Sequence, residues 1–136
     1  MTEELTFTTA PPGIAPGPGY SHVASGRGRL VVVAGQVALN SAGEVVGIGN
    51  PGEQSKQVFE NLRLALAAAG ASFDHVIKLT YFLLDVRDLP EIRKVRDQYI
   101  NTAMPPPSTA VQVVALVRPE LLIEVEALAI VPESDD

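Results

Sequence analysis

Two glutamates, Glu124 and Glu126, lie near the middle of the apolar stretch LLIEVEALAIV at residues 121–131. In a β-strand, residues i and i+2 project from the same face about 7 Å apart, so both carboxylates would share one face. Two carboxylates suggest general acid–base chemistry, but side chains of one strand project in parallel and do not flank a substrate as in glycosidases. An outer face in water would also expose Leu128 and Ile130, so a cleft or a subunit interface is favoured.

The two histidines form no metal-binding or nucleophile pattern. His22 and His75 are not part of an H-x-x-H, H-E-x-x-H or comparable arrangement, so we predict no metal site. Ser21 precedes His22, which suggests a serine nucleophile with its base, but adjacent residues rarely face each other. We therefore assign both histidines to surface loops.

A glycine-rich segment precedes the first predicted helix. GIGNPG at residues 47–52 matches G-x-G-x-x-G, the phosphate-binding fingerprint of dinucleotide-binding folds. That fingerprint also needs an acidic residue at the end of the next strand, about 20 residues on, whereas Asp74 precedes its strand and Asp85 comes too late. The segment is therefore predicted to be a turn followed by the start of a helix.

Composition favours one globular domain over residues 1–136. Sixteen acidic against ten basic residues give a net charge of −6, and no Lys/Arg cluster offers a local exception, so nucleic acid is not an expected partner. The absence of cysteine removes disulfides, thiolate nucleophiles and cysteine metal ligands. The start, MTEELTFTTA, does not resemble a signal peptide and no apolar run is long enough to span a membrane, so we expect a cytoplasmic protein without a membrane partner.

The elements that must position the candidate residues alternate between strands and helices. Strands are predicted around residues 5–8 and at 29–39, 75–85, 108–117 and 121–131, with a turn into a further short strand at 40–46, and helices at about 51–69 and 88–102. The strand at 75–85 is apolar on both faces, which is typical of a central strand paired on both edges. The last two strands, separated by RPEL, are predicted to form an antiparallel hairpin. This order predicts an α+β fold, a two-layer mixed sheet with both helices packed on one face.

The first helix has the clearest local signals. Asn50 can cap it, Pro51 suits its first turn, and Gly70 ends it. Its apolar face consists of Val58, Leu62, Ala65, Leu66 and Ala69.

Several segments together resemble the RidA/YjgF family of reactive-intermediate deaminases, once also described as endoribonuclease L-PSP-like proteins. The resemblance covers nearly the whole chain. It is carried by the Pro-rich loop that reaches Tyr20, the VAGQV segment with Gly35 and Gln36, the helix around Asn61 and Leu62, the strand HVIKLTYFLLD, the proline run before the fifth strand, and above all IEVEALA at 123–129.

The resemblance implies a chorismate-mutase-like α+β fold, assembled as a homotrimer with three clefts between subunits. In active members the substrate is a 2-imino acid, formed when a pyridoxal-phosphate dehydratase releases 2-aminoacrylate or its homologue, and hydrolysis gives a 2-keto acid and ammonia. No cofactor is used. The expected partners are therefore a small-molecule substrate or ligand and the other subunits of a trimer.

The resemblance also implies roles for individual residues. Glu124 looks like the glutamate that holds or activates the hydrolytic water, a role that suits a carboxylate within hydrogen-bond reach of water. Tyr20 resembles the cleft tyrosine, Gly35 the residue that offers a backbone carbonyl, and Ala110 the residue that offers a backbone N–H. Glu126 is expected to be a structural or hydrogen-bonded companion of Glu124.

One departure from the family pattern lies in MPPPSTAVQV at residues 104–113. Active imine deaminases carry an arginine two residues before the backbone N–H donor, and its planar fork binds the substrate carboxylate at two points. Ser108 occupies that position, so we expect poor activity on 2-imino acids. Arg93, where the family often has asparagine, could supply a guanidinium from the second helix; the alternative is a solvated arginine flanked by Glu91 and Asp97.

These observations leave two functions open. The first is hydrolysis of an imine, an enamine or a related C–N bond on a substrate that needs no arginine at position 108. The second is a non-catalytic trimeric protein that binds or senses a small molecule in the same cleft. A ribonuclease activity, which the older family name suggests, is disfavoured by the net charge of −6 and by the lack of a basic groove or a histidine pair.

Overall fold

Residues 4–133 are the part of the chain that the computed structural model describes. Within them the strands and α-helices are, in order, β1 (Thr6–Thr8), β2 (Val23–Ser25), β3 (Arg29–Val37), α1 (Pro51–Ala68), β4 (Val76–Leu83), α2 (Leu89–Arg96), β5 (Ser108–Gln112) and β6 (Ile123–Val131). β1 and β2 form a small antiparallel ribbon, and the other four strands form the main sheet.

The main sheet has the strand order β3-β6-β4-β5. β6 runs antiparallel to both of its neighbours, whereas β5 runs parallel to β4. β3, β4 and β5 therefore share one direction, and α1 and α2 are the crossovers that join them. Crossovers of one hand that step in the same direction across a sheet place their helices on the same face. The predicted two-layer α+β fold with a mixed sheet is confirmed.

The hydrophobic core lies between the helices and one face of the sheet. The fully buried side chains of α1 that face the sheet are Val58, Phe59, Leu62 and Leu66, while Ala65 and Ala69 pack at the margin of the core. The buried residues of the two central strands alternate along each strand: Leu79, Tyr81 and Leu83 on β4, and Ile123, Val125, Ala127 and Ala129 on β6. The apolar face predicted for the first helix is confirmed.

The start and end of α1 follow the predicted local signals. The side chain of Asn50 accepts a hydrogen bond from the backbone N–H of Glu53 at 3.1 Å, and Pro51 is the first helical residue. Gly70 has φ +73°, a conformation that an L side chain rarely adopts, directly after the helix ends. Gly47, with φ +79°, turns the chain into the helix, so the glycine-rich segment is the turn that the sequence predicts.

The predicted hairpin of the last two strands is wrong. β5 ends at Gln112 instead of residue 117, and it pairs with β4 rather than with β6. β6 pairs with β4 along the opposite edge, so β4 separates the two strands. The physical reason is that β4 has N–H and C=O groups on both edges, and all of them need partners in a buried central strand. β4 is thus paired on both edges, as its apolar sequence predicts.

Three other elements also differ from the prediction. α2 ends at Arg96 rather than near residue 102, yet Tyr99 and Ile100 beyond its end still pack on the core. The periodic apolar pattern that extends to these residues reflects their burial, although the helix itself has ended. The predicted short strand at 40–46 is reduced to a single bridge between Leu39 and Val45, and β2 was not predicted at all.

A buried glutamine links α1 to the beginning of β6. The Gln54 side chain is fully buried, and its Nε2 donates to the carbonyls of Gly47 at 3.2 Å and Glu120 at 2.8 Å. Its Oε1 accepts from the backbone N–H of Leu122 at 2.8 Å. These contacts satisfy backbone groups of a segment that enters the sheet without a neighbouring hairpin strand.

Candidate functional site

Glu124 and Glu126 lie on the face of the sheet that is turned away from the helices. Glu124 is half-buried and Glu126 is exposed, whereas Ile123 and Val125 between them are buried on the helix side. The two glutamates therefore share one face, as the spacing predicts. In a single chain that face is open, and it also exposes large apolar side chains, namely those of Leu30, Val32, Val111 and Leu128.

The carboxylate of Glu124 rests against the backbone of Gly35 on the neighbouring strand. Val37 is paired with Glu124, and the register between β3 and β6 shifts between Val33 and Gln36, so Gly35 lies in an irregular part of β3. A methyl group added at Gly35 would lie 2.8 Å from Cδ and 2.9 Å from Cγ of Glu124, which is closer than packed carbon atoms come. A residue without a side chain is therefore needed here for Glu124 to keep its position.

Asn61 of α1 holds the end of β3 beside this irregular segment. Its Nδ2 donates to the carbonyls of Val37 at 3.1 Å and Leu39 at 2.9 Å. Gly35, Gln36 and Asn61 line the same open groove, whose volume is about 610 Å³. The groove lies at the edge of the sheet, where β3 has no further strand beside it among residues 4–133.

Four of the six predicted site residues meet in a different cavity. Tyr20, Arg93, Ser108 and Ala110 line a space of about 240 Å³ behind the edge strand β5, together with Tyr81, Leu89 and Arg96. The register pairs Tyr81 with Ala110 and Leu79 with Ser108, so these β5 residues are on the helix side of the sheet. The sheet therefore separates this cavity from Glu124 within one chain.

Among residues 4–133 the cavity is lined by two guanidinium groups and by no carboxylate. Arg96 is only 4% exposed; its Nε and Nη2 donate to Oδ1 of Asp97 at 3.1 and 2.8 Å. Arg93 is half-buried and forms no ion pair within residues 4–133. The cavity is therefore locally basic although the whole chain carries a net charge of −6.

The hydroxyl of Tyr81 is the other buried polar group of this cavity. Tyr81 is 2% exposed, and burial raises its pKa to about 12, although the nearby Arg96 guanidinium opposes the rise. Arg96 is close enough to act on that pKa, yet the hydroxyl forms no hydrogen bond of ordinary length and angle with a described residue. A phenol in this state is a neutral donor throughout the physiological pH range.

Ser108 does not present a free hydroxyl to the cavity. Its Oγ donates to the carbonyl of Pro106 at 3.2 Å, within the proline-rich segment that leads into β5. Arg93 and Arg96 of α2 line the same cavity as the short Ser108 side chain. The sequence indicated Arg93 but not Arg96 or Tyr81. Arg96 could have been found from its spacing, because it lies three residues after Arg93 and residues i and i+3 of a helix are neighbours on its surface.

Both histidines have structural contacts; His22 lies in a loop, as predicted, whereas His75 is the last residue of a short 3-10 helix. A ring nitrogen of His22, Nε2, lies 2.7 Å from the carbonyl of Ala15 in the proline-rich loop. The hydroxyl of Ser21 is buried and has no hydrogen-bond partner among the described residues, so it is not paired with His22. Nδ1 of His75 accepts from the backbone N–H of Ser72 in a short helical turn. Between residues 4 and 133 no cluster of three or more His, Cys, Asp or Glu side chains could hold a metal ion.

The protein is thus a two-layer α+β protein with a half-buried carboxylate on one side of its sheet and a basic cavity on the other. A family model described as Endoribonuclease L-PSP matches residues 9–131. The chain therefore belongs to this family, which is also called RidA/YjgF.

Relatives and solved structures agree with this membership over nearly the full chain. A RutC family protein of Pyrococcus abyssi is 38% identical over 131 residues, covering 95% of this chain and 98% of that protein. The 2-iminobutanoate/2-iminopropanoate deaminase of Mus musculus is 35% identical over 127 residues, covering 93% of this chain and 89% of that enzyme. A Rid-family structure of unknown function from Yersinia pestis superposes with a TM-score of 0.80 at 31% identity, covering 96% of this chain and 100% of that one.

The described helices include no membrane-spanning segment. Neither α1 nor α2 is both long and apolar enough to cross a bilayer.

Proposed function

We propose that this protein hydrolyses an imine, an enamine or a related C–N bond of a small metabolite, with Glu124 as the residue that holds and deprotonates the attacking water. In this reaction the water oxygen adds to the imine carbon while the carboxylate accepts a proton from the water. The nitrogen takes back that proton from the carboxyl group, which gives a carbinolamine. A second proton then moves from the new hydroxyl to the nitrogen, the C–N bond breaks, ammonia leaves, and the oxygen remains as a carbonyl. Water is the only co-reactant, so the proposal needs no cofactor.

The observation that carries the proposal is the fixed position of the Glu124 carboxylate against Gly35. A half-buried carboxylate that is held by a glycine-specific contact and remains open on one side can reach a bound water molecule. The relatives add support, because several carry the name 2-iminobutanoate/2-iminopropanoate deaminase.

The complete site is proposed to lie between the subunits of a homotrimer. Within one chain the sheet stands between Glu124 and the cavity of Tyr20, Ser108 and Ala110, so one chain cannot offer both groups to one small molecule. The open face of the sheet exposes apolar side chains that a neighbouring subunit would cover. Such packing would bring the glutamate of one chain to the cavity of another.

The alternative is a protein that binds a small molecule in the same cleft without turnover. It is favoured by Ser108, because the hydroxyl is engaged with Pro106 and cannot provide the charged two-point contact of an arginine. The loss of that contact is also why poor activity on 2-imino acids was expected from the sequence. Arg93 and Arg96 line the same cavity as Ser108 and carry the positive charge that position 108 lacks.

A coupled assay separates the two functions. A pyridoxal-phosphate threonine dehydratase generates the imino acid in the presence of a scavenging amine, and the rate of keto-acid formation is followed with and without this protein. We expect acceleration that falls about 100-fold in Glu124→Gln, because the amide cannot accept the proton. Glu126→Gln is the matched control, since it removes a carboxylate from the same face of the same strand, and its rate should stay within about threefold of the parent.

Other outcomes would reject parts of the proposal. Equal losses in both variants would mean that the charge of the face matters and not the position of Glu124. If the parent accelerates neither the imino acid nor an uncharged imine, yet binds a small ligand saturably, the non-catalytic alternative is correct.

A further inference from the structure

We propose that helix α2 provides an anion-binding site in the 240 Å³ cavity, in which Arg96 and the hydroxyl of Tyr81 bind the carboxylate of the ligand. The group that recognises the carboxylate would then come from α2 and β4, and not from position 108 on β5. The inference rests on the proposed function and deepens it, because it names the residues of this chain that recognise a carboxylate beside the C–N bond although position 108 is a serine.

The burial of Arg96 is the first argument. A guanidinium that is 4% exposed has lost nearly all of its water, which is costly unless its N–H groups are paired. Asp97 accepts from Nε and Nη2 but is itself 46% exposed, and no residue between 4 and 133 accepts from Nη1. Donors of a planar fork therefore remain available on the side of the cavity, and such a fork suits a carboxylate.

The Tyr81 hydroxyl is a second and independent observation. Buried polar groups are almost always hydrogen-bonded, so a 2% exposed phenol that forms no hydrogen bond of ordinary length and angle with residues 4–133, although Arg96 lies close to it, needs an explanation. Tyr81 lines the same cavity as Arg96, and a ligand oxygen placed there would accept from both. Since burial keeps this phenol protonated to about pH 12, it is a donor whenever the ligand carboxylate is charged.

The positive charge of the cavity lining narrows the chemical class of the ligand further. Arg93 adds a second positive charge to the lining, to which the described part of the chain contributes no acidic side chain. The whole chain is acidic, whereas this cavity is basic, so its ligand is expected to be an anion rather than a neutral amine.

Binding of a matched pair of probes tests the inference without turnover. Isothermal titration calorimetry of the full chain at pH 7 compares 2-oxobutanoate with 2-oxobutanamide, which has nearly the same shape and no charge. We expect the acid to bind at least about tenfold more tightly than the amide. Arg96→Gln should remove this preference by weakening the acid about tenfold or more, whereas the amide should be unaffected.

Further variants keep the test decisive if Arg96→Gln does not fold. Tyr81→Phe removes only the hydroxyl, and we expect it to weaken the acid about three- to tenfold with little effect on the amide. Arg63→Gln is the control, because it removes an exposed, ion-paired arginine from α1, outside the residues that line the cavity, and binding should not change. The inference is overturned if the parent does not prefer the acid, or if folded Tyr81→Phe and Arg96 variants bind it as the parent does.

The inference and the proposed function fail in different ways. Tight, Arg96-dependent binding of 2-oxobutanoate without any hydrolysis would reject the catalytic role and keep the anion site. Hydrolysis of an uncharged imine that needs Glu124, without preference for the carboxylate, would keep the reaction and reject the anion site.

Discussion

At the scale of single residues, Gly35 shows how a small residue can control a functional group on another strand. The glycine lies where the pairing of β3 and β6 shifts, and the side chain of Glu124 occupies the space that a Cβ would take. The atoms in the way belong to a flexible side chain and not to the backbone. A larger residue at position 35 should therefore move the carboxylate and leave the strand intact.

Gly35→Ala is expected to lower kcat/KM in the coupled assay about tenfold or more, because a carboxylate displaced by about 1 Å no longer holds the water in line with the substrate. The unfolding free energy should change by less than about 1 kcal/mol, because only the carboxylate end has to move. Rate measurements together with thermal unfolding of both proteins check this expectation.

Gly52→Ala is a suitable control for this variant. Gly52 is in the first turn of α1, and a Cβ there would meet its nearest neighbours at 3.4 Å or more. The replacement should leave activity unchanged and preserve or slightly raise stability. Full activity of Gly35→Ala would show that the contact with Glu124 does not position the carboxylate.

At the scale of elements, the entry of β6 into the sheet depends on one buried side chain. A hairpin would have satisfied the backbone groups that precede β6, but β6 is inserted between β3 and β4 instead. Gln54 provides three hydrogen bonds, two to Gly47 and Glu120 carbonyls and one from the Leu122 N–H. The glutamine thereby ties the strand that carries Glu124 to the first turns of α1.

Gln54→Leu is expected to lower the free energy of unfolding by about 2–4 kcal/mol. The leucine has a similar volume, but it leaves the Glu120 carbonyl and the Leu122 N–H without the partners that Gln54 provides, and each unsatisfied group costs roughly 1–3 kcal/mol. Chemical denaturation of the parent and the variant measures the difference. Lys56→Leu, an exposed position two residues further along α1, should change stability by less than about 0.5 kcal/mol. A loss of the same small size in Gln54→Leu would refute the role given to the glutamine.

At the scale of the whole molecule, the open face of the sheet bears on the proposed assembly. Leu30 and Val32 on β3 are 60% and 68% exposed, and Leu128 beside them on β6 is 37% exposed. A strand face with this many apolar side chains is a site of association or aggregation unless another surface covers it. The helices cover only the other face.

Val32→Asp is expected to convert the assembly into monomers, because a charge would be buried without a partner in the centre of the covered face. Size-exclusion chromatography with light scattering should give three times the 14.4 kDa of one chain for the parent and a single chain mass for the variant, with unchanged far-ultraviolet circular dichroism.

Ile48→Asp is the matched control for the assembly. Ile48 is as exposed as Val32, at 71%, but it lies in the turn before α1 and not on the sheet face. It should leave the mass unchanged. A monomeric parent, or an unchanged mass for Val32→Asp, would contradict the proposed use of this face.

Features that depend on neighbouring residues can be predicted from the amino-acid sequence alone. The cap at Asn50, the turn at Gly47, the apolar face of α1 and the shared face of Glu124 and Glu126 all follow from local hydrogen bonds and from side-chain periodicity. The family pattern also indicated Gly35, Tyr20 and Ala110.

The strand that pairs with β5 and the side chains that share a cavity become evident from the three-dimensional fold and not from local sequence patterns. Tyr81 has the sequence context of an ordinary core residue, and only the i+3 spacing from Arg93 distinguishes Arg96 from other helix-surface residues; the pairing of β5 with β4 places both in one cavity with Tyr20. Strand pairing and cavities depend on contacts between residues far apart in the chain, where many partners satisfy the same local pattern. Their choice is made by the summed burial and hydrogen bonding of the whole fold.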